Sequence, residues 1–447
     1  MTHLPLKGRF LIGLTLFSMF FGAGNLIFPP FLGALAGEAT WSAMAGFAVT
    51  AIAFPVLGVM AVARSGGLEA LADRVHPWFS AVFTLLIYLS IGPCLAIPRT
   101  ASTSYEMAIS PFFRGADALS GTVMGIEYAT IAQAVYSVFF FVLAGTIALS
   151  PEKLTQRLGK ILSPMLLTLI ALLFFATLFN PLASSLGAVH APYDVSPFFR
   201  GFIEGYQTMD TIAALNFGLI IAMNIRAFGV KDENGVVAET MKAGLMAGVL
   251  FVIVYASLAW IGAQSGAAGF PSENGAQTLT AVARAQFGPF GMIILGACFF
   301  IACLNTCVGL LSCCSNYFNR ILPMLSYRGW LLVFVLTSMV IANAGLTMIL
   351  KLSIPVLVAI YPVALVLIVL ALIHPWLGGA RAAYPMTILF TAIFSIFAAL
   401  KMTGLTPDSL NAYFDQLPLA SVGLEWVIPA LIGLVIGRVL PCRARAK

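Results

Sequence analysis

The sequence predicts an all-α polytopic membrane protein of about twelve transmembrane helices, and three observations carry that prediction. Of its 447 residues 60% are hydrophobic and only 9% charged, with mean hydropathy +1.00. A soluble chain carries about 25% charged residues. Stretches of roughly 20 apolar residues, the length a helix needs to cross a bilayer, recur from end to end. The first and sixth of these stretches are each interrupted by residues that weaken helical hydrogen bonding.

The expected spans are 9–34 (broken), 41–62, 78–98, 133–150, 157–179, 202–225 (broken), 241–264, 290–318, 330–350, 352–374, 384–402 and 421–439. With both termini on the cytoplasmic side, 17 of the 23 Lys and Arg residues fall inside and 6 outside. That bias obeys the positive-inside rule and supports both the span count and the orientation. Lys7 and Arg9 before Phe10–Phe21 resemble the start of a signal peptide, but the apolar stretch runs on to Leu35, so an uncleaved first helix is expected. The longer connections are 99–132, 180–201, 265–289 and 403–420 outside and 226–240 inside, with a surface helix over 64–77.

Several function classes are excluded. The net charge of +6 belongs to topology, because no basic patch with interleaved aromatics lies outside the spans, and nucleic acid is not a partner. The four histidines, His3, His76, His190 and His374, all sit at span ends or loops, which argues against haem or copper ligation in the membrane. Cys298, Cys303, Cys307, Cys313 and Cys314 lack CxxC pairs or histidine partners and read as small packing residues. No enzymatic constellation and no organic cofactor are expected.

The first interruption is Phe21-Gly22-Ala23-Gly24-Asn25-Leu26-Ile27-Phe28-Pro29-Pro30. In lipid, freed backbone groups are tolerated only where they line a cavity or meet a ligand, and broken helices mark transporter sites. A half-helix starting near Asn25 turns its positive dipole end inward, suited to an anionic group against the amides of Ala23 and Gly24. The half before it ends near Ser18 to Phe21 with free carbonyls, suited to a hard monovalent cation. The second interruption is Gly205-Tyr206-Gln207-Thr208-Met209-Asp210-Thr211, five spans later. Equal spacing of two breaks matches an inverted repeat, here 9–179 and 202–374, with 384–439 as two additional helices in one domain.

Asp210 has four readings: a counter-charge for an ammonium, a cation ligand, a proton carrier, or a cap at the start of the second half-helix. Asn305 and Thr306, deep in the eighth span, read as interhelical hydrogen-bonding residues or as part of a cation shell. Arg99, following Pro98, reads as an interfacial anchor in preference to an outer-gate charge.

FGAGNLIFPP at 21–30, GPCLAIPRTASTSYE at 92–106 and GYQTMDTIAALNFG at 205–218 together resemble the branched-chain amino acid:cation symporter family of the BrnQ type, and the likeness covers essentially the whole chain. The resemblance implies a LeuT-like fold and sodium-coupled import of leucine, isoleucine and valine, by an integral protein of the bacterial cytoplasmic membrane with lipid around it. Gly22-Ala23-Gly24-Asn25 matches that fold's pattern at its first break. Carried over, a sodium site uses the carbonyls of Ser18, Phe21 and Ala302 and the side chains of Asn305 and Thr306. A second cation position involves the Phe20 carbonyl, Asn25 and Thr208. The substrate lies against Met19, Phe20, Ala23, Gly24, Asn25, Tyr206, Gln207, Thr208, Met209 and Asp210. Two departures stand out: Asn305-Thr306 replaces two adjacent hydroxyl residues, and Asp210 stands where relatives often carry a small one. The alternatives are proton coupling through Asp210 and, from another class, a membrane sensor or channel.

Overall fold

The computed structural model describes residues 4–113, 122–123, 126–149, 163–270, 274–378 and 380–440. The first helix is split into α1 (Leu6–Phe20) and α2 (Ala23–Ala36), and the chain turns at Gly37, whose φ of +48° suits glycine. Helix α3 (Thr40–Ala48) passes through a π turn, Val49–Ala53, into α4 (Phe54–Ser65). The expected surface helix is only α5 (Leu68–Ala72); α6 (Pro77–Leu89) follows, joined by a second π turn, Ser90–Cys94, to α7 (Ala96–Ala108) and the short α8 (Ser110–Phe113). Then come α9 (Tyr128–Ala148), α10 (Ser163–Phe179), the broken pair α11 (Pro197–Glu204) and α12 (Asp210–Ala227), and α13 (Glu233–Ala267). The remainder is α14 (Gly275–Ile321), α15 (Tyr327–Ala342), α16 (Leu346–Ile373), α17 (Ala383–Met402), α18 (Asp408–Asp415) and α19 (Val427–Val439). A two-residue antiparallel pair, Thr122–Val123 with Ile126–Glu127, interrupts an otherwise helical chain.

The expected spans fall on these helices with shifted bounds: the ninth, 330–350, runs past the end of α15 at Ala342 into α16, and residues 150 and 157–162 of the fourth and fifth lie outside the described residues. Several connections are shorter than the sequence implied. The third runs on to Ala108, the seventh begins at Glu233, and the eighth is preceded by a helical arm from Gly275 that bends at Gly288 (φ +59°). Apolarity marks where a helix meets lipid, so helical ends made of polar residues escape a hydropathy reading. By length and hydropathy alone, seven described runs can cross a membrane, or eight with the α11–α12 pair; Ala23–Ser65 is one such run although it turns at Gly37. Three more apolar helices are shorter, at 10–17 residues. Exposed apolar side chains such as Val135, Val138, Val142, Val249, Val252 and Ile253 lie on outward faces of α9 and α13, where lipid is the fitting neighbour.

The internal repeat invisible in the residues is visible in the packing. Helices α1 and α2 pack along α13, and α11 and α12 pack along α3 and α4. The first span therefore holds the seventh as the sixth holds the second, a shift of five. Both seams are close enough that only glycine fits: a Cβ on Gly262 would lie 1.9 Å from the Pro30 carbonyl, and one on Gly201 1.9 Å from that of Ala43.

At the end carrying the N-terminus, Arg9 grips the buried Glu239 of α13 through Nε at 2.8 Å and Nη2 at 2.9 Å, and Lys242 adds Nζ at 2.8 Å. Glu239→Ala is expected to lower the thermal unfolding midpoint, because it removes the carboxylate through which Arg9 and Lys242 tie α1 to α13. A thermal unfolding midpoint equal to wild type in detergent would refute it.

Candidate functional site: two helix breaks around one cavity

The first break is narrower than the sequence implied. Phe21 (φ −72°, ψ 96°) and Gly22 (φ −131°, ψ −156°) are extended, and α2 starts at Ala23 rather than near Asn25. Pro29 and Pro30 lie inside α2 instead of ending the break. Their φ already suits a helix; lacking N–H groups, they leave the carbonyls of Asn25 and Leu26 without helical donors. Asn25 sits at the third position of α2, and its Oδ1 accepts the Gly22 N–H at 2.9 Å. That N–H is the one a continuing helix would return to the Ser18 carbonyl, so the asparagine is what holds the break open.

The sixth span breaks through one 3₁₀ turn, Gly205–Thr208, and Met209 at φ +65°, a left-handed conformation uncommon for methionine. Asp210 then begins α12 but does not cap it. Its Oδ2 instead accepts from Asn25 Nδ2 at 2.5 Å and from the Tyr255 hydroxyl at 3.1 Å, and Asn25 Nδ2 also meets the Tyr255 hydroxyl. The capping reading of Asp210 is thereby corrected: its carboxylate ties the two breaks to each other and to α13. Asn25 is bonded at both ends of its amide, Oδ1 to the Gly22 N–H and Nδ2 to Asp210, and the Thr208 hydroxyl donates to the Gly205 carbonyl at 2.9 Å.

Arg99 is also not an interfacial anchor. Because α7 continues to Ala108, Arg99 lies within the helix, 4% exposed, and Nη1 donates to the Gln207 carbonyl at 2.8 Å. Its guanidinium lies 5.9 Å from the centre of the Phe28 ring, and it acts electrostatically on Asp210. Both broken helices thus meet a buried charge on the third span.

Met19, Phe20, Ala23, Gly24, Asn25, Thr208, Met209 and Asp210 line one cavity of about 30 Å³, joined by Arg99, Thr306 and the apolar Ile91, Phe217 and Leu310. That volume is about one water's share of liquid, too small for an amino acid in this arrangement. Tyr206 and Gln207, expected here, line a separate chamber of about 600 Å³ instead. The residues from Gly205 to Thr208 wind as a tight turn, which sends successive side chains to different sides of the break.

Beside the cavity, α1 and α14 bring the expected ion residues together. Asn305 Nδ2 donates to Ser18 Oγ at 3.0 Å, while Asn305 Oδ1 and Thr306 Oγ1 are buried without a hydrogen-bond partner. A Cβ on Gly22 would lie 2.5 Å from Thr306 Oγ1, so that hydroxyl points at the break. Ser18, Phe21 and Ala302 are fully buried, and Ala302 lies one turn before Asn305 and Thr306 on the same helix. Orphaned buried oxygens cost energy unless something fills their valence, and a hard cation does so. Among the described residues no three His, Cys, Asp or Glu side chains gather for a transition metal, and the cysteines of α14 are buried and unpaired.

Sequence reasoning missed Tyr255 as a partner of Asp210. The available signal was its place in the middle of a span, since membrane tyrosines favour the interfaces. Arg99 had a signal too: Thr100, Ser102, Thr103 and Ser104 follow it, and all are buried.

Comparison with known proteins agrees with this geometry. The family described as "Branched-chain amino acid transport protein" matches residues 6–443. The branched-chain amino acid permease BraB of Bacillus subtilis is 40% identical over 98% of this chain and 96% of its own length. The branched-chain amino acid transport system 2 carrier protein of Pseudomonas aeruginosa is 38% identical over 98% and 96%. These relatives are named for transport, not for enzymatic activity. A nucleobase-cation-symport-1 family transporter in a closed conformation shares the fold at TM-score 0.59 and 12% identity, over 96% of this chain and 91% of that one. A Na⁺-coupled sialic acid symporter does so at 0.61 and 15%, over 97% and 90%. With a LeuT-like architecture of broken first and sixth helices, and with its whole length matched, the chain belongs to the branched-chain amino acid transport protein family.

Proposed function

We propose that this protein imports leucine, isoleucine and valine together with sodium by alternating access, in the bacterial cytoplasmic membrane with both termini inside. The observation that carries the reading is that the two helix breaks face each other across one small cavity with two orphaned oxygens alongside. The substrate carboxylate meets the amides at the start of α2, where the helix dipole is positive. Its ammonium meets the carbonyls of the Gly205–Thr208 turn and Asp210. The aliphatic side chain lies among Met19, Phe20, Ile91, Phe217 and Leu310. A pocket of this kind separates side chains differing by one methylene by only about 1–3 kcal/mol, so the three amino acids compete.

Sodium takes the carbonyls of Ser18, Phe21 and Ala302 with Asn305 Oδ1 and Thr306 Oγ1. It favours the substrate-ready state by binding that state more tightly. The segments 9–179 and 202–374 act as the two repeats, and α17 and α19 stand outside them. Opening the cavity requires the Arg99–Gln207 contact to part, which makes Arg99 a gate for the cargo.

Uptake into proteoliposomes at fixed pH, with and without an inward sodium gradient and with competing amino acids, tests the proposal. Saturable leucine uptake that rises with the gradient is expected; uptake that ignores sodium and follows pH would transfer the coupling to Asp210. A conductance that does not saturate would overturn transport altogether. Thr306→Ala is expected to raise the sodium concentration for half-maximal uptake about tenfold, the effect of losing one hydrogen-bond-scale contact of ~1.4 kcal/mol. An unchanged sodium dependence removes Thr306 from the ion site.

A further inference from the structure

We propose that Thr50, on the second span, is a positioning residue for the cargo: it holds both ends of the sixth-span break and so fixes the carbonyls that meet the ammonium. The inference rests on the transport reading above, in which the Gly205–Thr208 turn and Asp210 receive that ammonium.

The local sequence makes Thr50 available in two directions. Across the π turn Val49–Ala53, the Phe54 N–H bonds the Val49 carbonyl, whereas an α-helix would give it to the carbonyl of Thr50. The next donor along the chain would be residue 55, and Pro55 has no N–H. The Thr50 carbonyl is therefore left without a donor from its own helix, and the Thr211 hydroxyl donates to it at 2.8 Å. The Thr50 hydroxyl reaches the other way and donates to the Phe202 carbonyl at 2.7 Å. Phe202 lies in the last turn of α11, where carbonyls run out of helical donors, and Thr211 is the second residue of α12. One residue of the second span thus grips the chain on either side of the break.

The fit is close. Thr50 and Thr211 are fully buried, and a Cβ on Gly205 would overlap the Thr50 hydroxyl, so glycine is what admits it. Tyr361 of α16 adds a third hold: its hydroxyl accepts the Thr211 N–H at 3.2 Å, and its ring stacks on Tyr206 with centres 4.4 Å apart. Because α12 lacks a side-chain cap, this bond satisfies one of its first free amides. Between the holds lie the 3₁₀ turn and Met209 at φ +65°, a conformation that persists only where the surroundings over-determine it. From this stretch the Gln207 carbonyl meets Arg99 and the Asp210 carboxylate meets Asn25. Among the described residues, Thr50 and Thr211 line neither of the two cavities, so they act on the cargo through the shape of the break.

The test is the kinetics of leucine uptake by the full-length protein in proteoliposomes, for wild type, Thr50→Val, Thr50→Ser and Thr211→Val. KM for leucine is measured at saturating sodium, and half-saturating sodium at saturating leucine. Valine keeps the branched shape of threonine and deletes the hydroxyl, whereas serine keeps the hydroxyl. Both valine variants are expected to raise KM for leucine about tenfold, the scale of one lost buried hydrogen bond. Maximal rate and half-saturating sodium stay near wild type, since the proposed ion residues lie on α1 and α14, and Thr50→Ser returns KM toward wild type. Thr211→Val removes the bond to the Thr50 carbonyl and carries the test alone where Thr50→Val fails to reconstitute. A wild-type KM in both valine variants, even with a lower maximal rate from a smaller folded fraction, overturns the positioning role and leaves the transport reading standing. A Thr50→Ser KM as high as that of Thr50→Val assigns the effect to packing and overturns the role of the hydroxyl. No saturable leucine uptake by wild type overturns the transport reading and this role with it.

Discussion

Gly22→Ala is expected to abolish sodium-driven leucine uptake while leaving the protein folded. A Cβ at Gly22 would meet Thr306 Oγ1 at 2.5 Å, Thr306 Cβ at 2.9 Å and Thr306 Cγ2 at 3.0 Å, all on the side chain proposed to hold the ion. The backbone at Gly22 is extended (φ −131°), so alanine adopts it without strain and the whole effect is steric. Alanine must push Thr306 away from the break, and overpacking of this kind costs about 1–3 kcal/mol, up to roughly a hundred-fold in ion affinity. Gly309→Ala on the same α14 is the control, because a Cβ there meets nothing nearer than Met19 Cγ at 4.0 Å. Wild-type uptake by Gly22→Ala, measured in proteoliposomes beside that control, would remove Thr306 and the break from the ion site.

The second large effect is expected from Asp210→Asn. The carboxylate is buried, accepts from Asn25 and Tyr255, and balances the buried Arg99 electrostatically. Neutralising it leaves the Asn25 and Tyr255 donors without their charged acceptor, which costs about 1–3 kcal/mol for each buried group. It also places an amide N–H₂ where Asn25 and Tyr255 both donate. Leucine uptake is expected to fall by about a hundred- to a thousand-fold, roughly 3–4 kcal/mol over the two lost contacts. The residual uptake decides the coupling ion: continued dependence on the sodium gradient supports the Thr306 site. Loss of a pH dependence that wild type possesses assigns the coupling to Asp210.

Both predictions depend on residues that the sequence had singled out, but the reasons changed with the fold. Gly22 read as a helix breaker; its decisive property is the absence of a side chain facing Thr306. Asn25 read as the start of a half-helix, and it is the group that captures the Gly22 amide and keeps the break open. The prolines read as part of the break and lie within α2, because a helix tolerates fixed φ wherever the missing donor is not otherwise required. Arg99 was misread because the polar run after Pro98 was taken to end the span. That run is buried all round α7, with Arg99 and Thr100 at the cavity and Ser104 against Tyr136 of α9. Hydropathy averages over a window and registers neither which face of a helix is polar nor what that face meets.

What the sequence determined by itself was the class of molecule, the approximate placement of its helices and the two places where they break. These follow from local causes: apolar length sets a span, and glycine or a left-handed residue interrupts it. Only the tertiary structure decided what the breaks hold. It joined Asn25 to Asp210 and Tyr255 across 185 and 230 residues of chain, and placed Arg99 over Gln207 and Thr306 against Gly22. It also sent Tyr206 and Gln207 into a different chamber from Asp210. Such contacts arise from how helices far apart in sequence pack, and in a membrane that packing is set by close backbone approach and polar pairing rather than by any pattern within one helix.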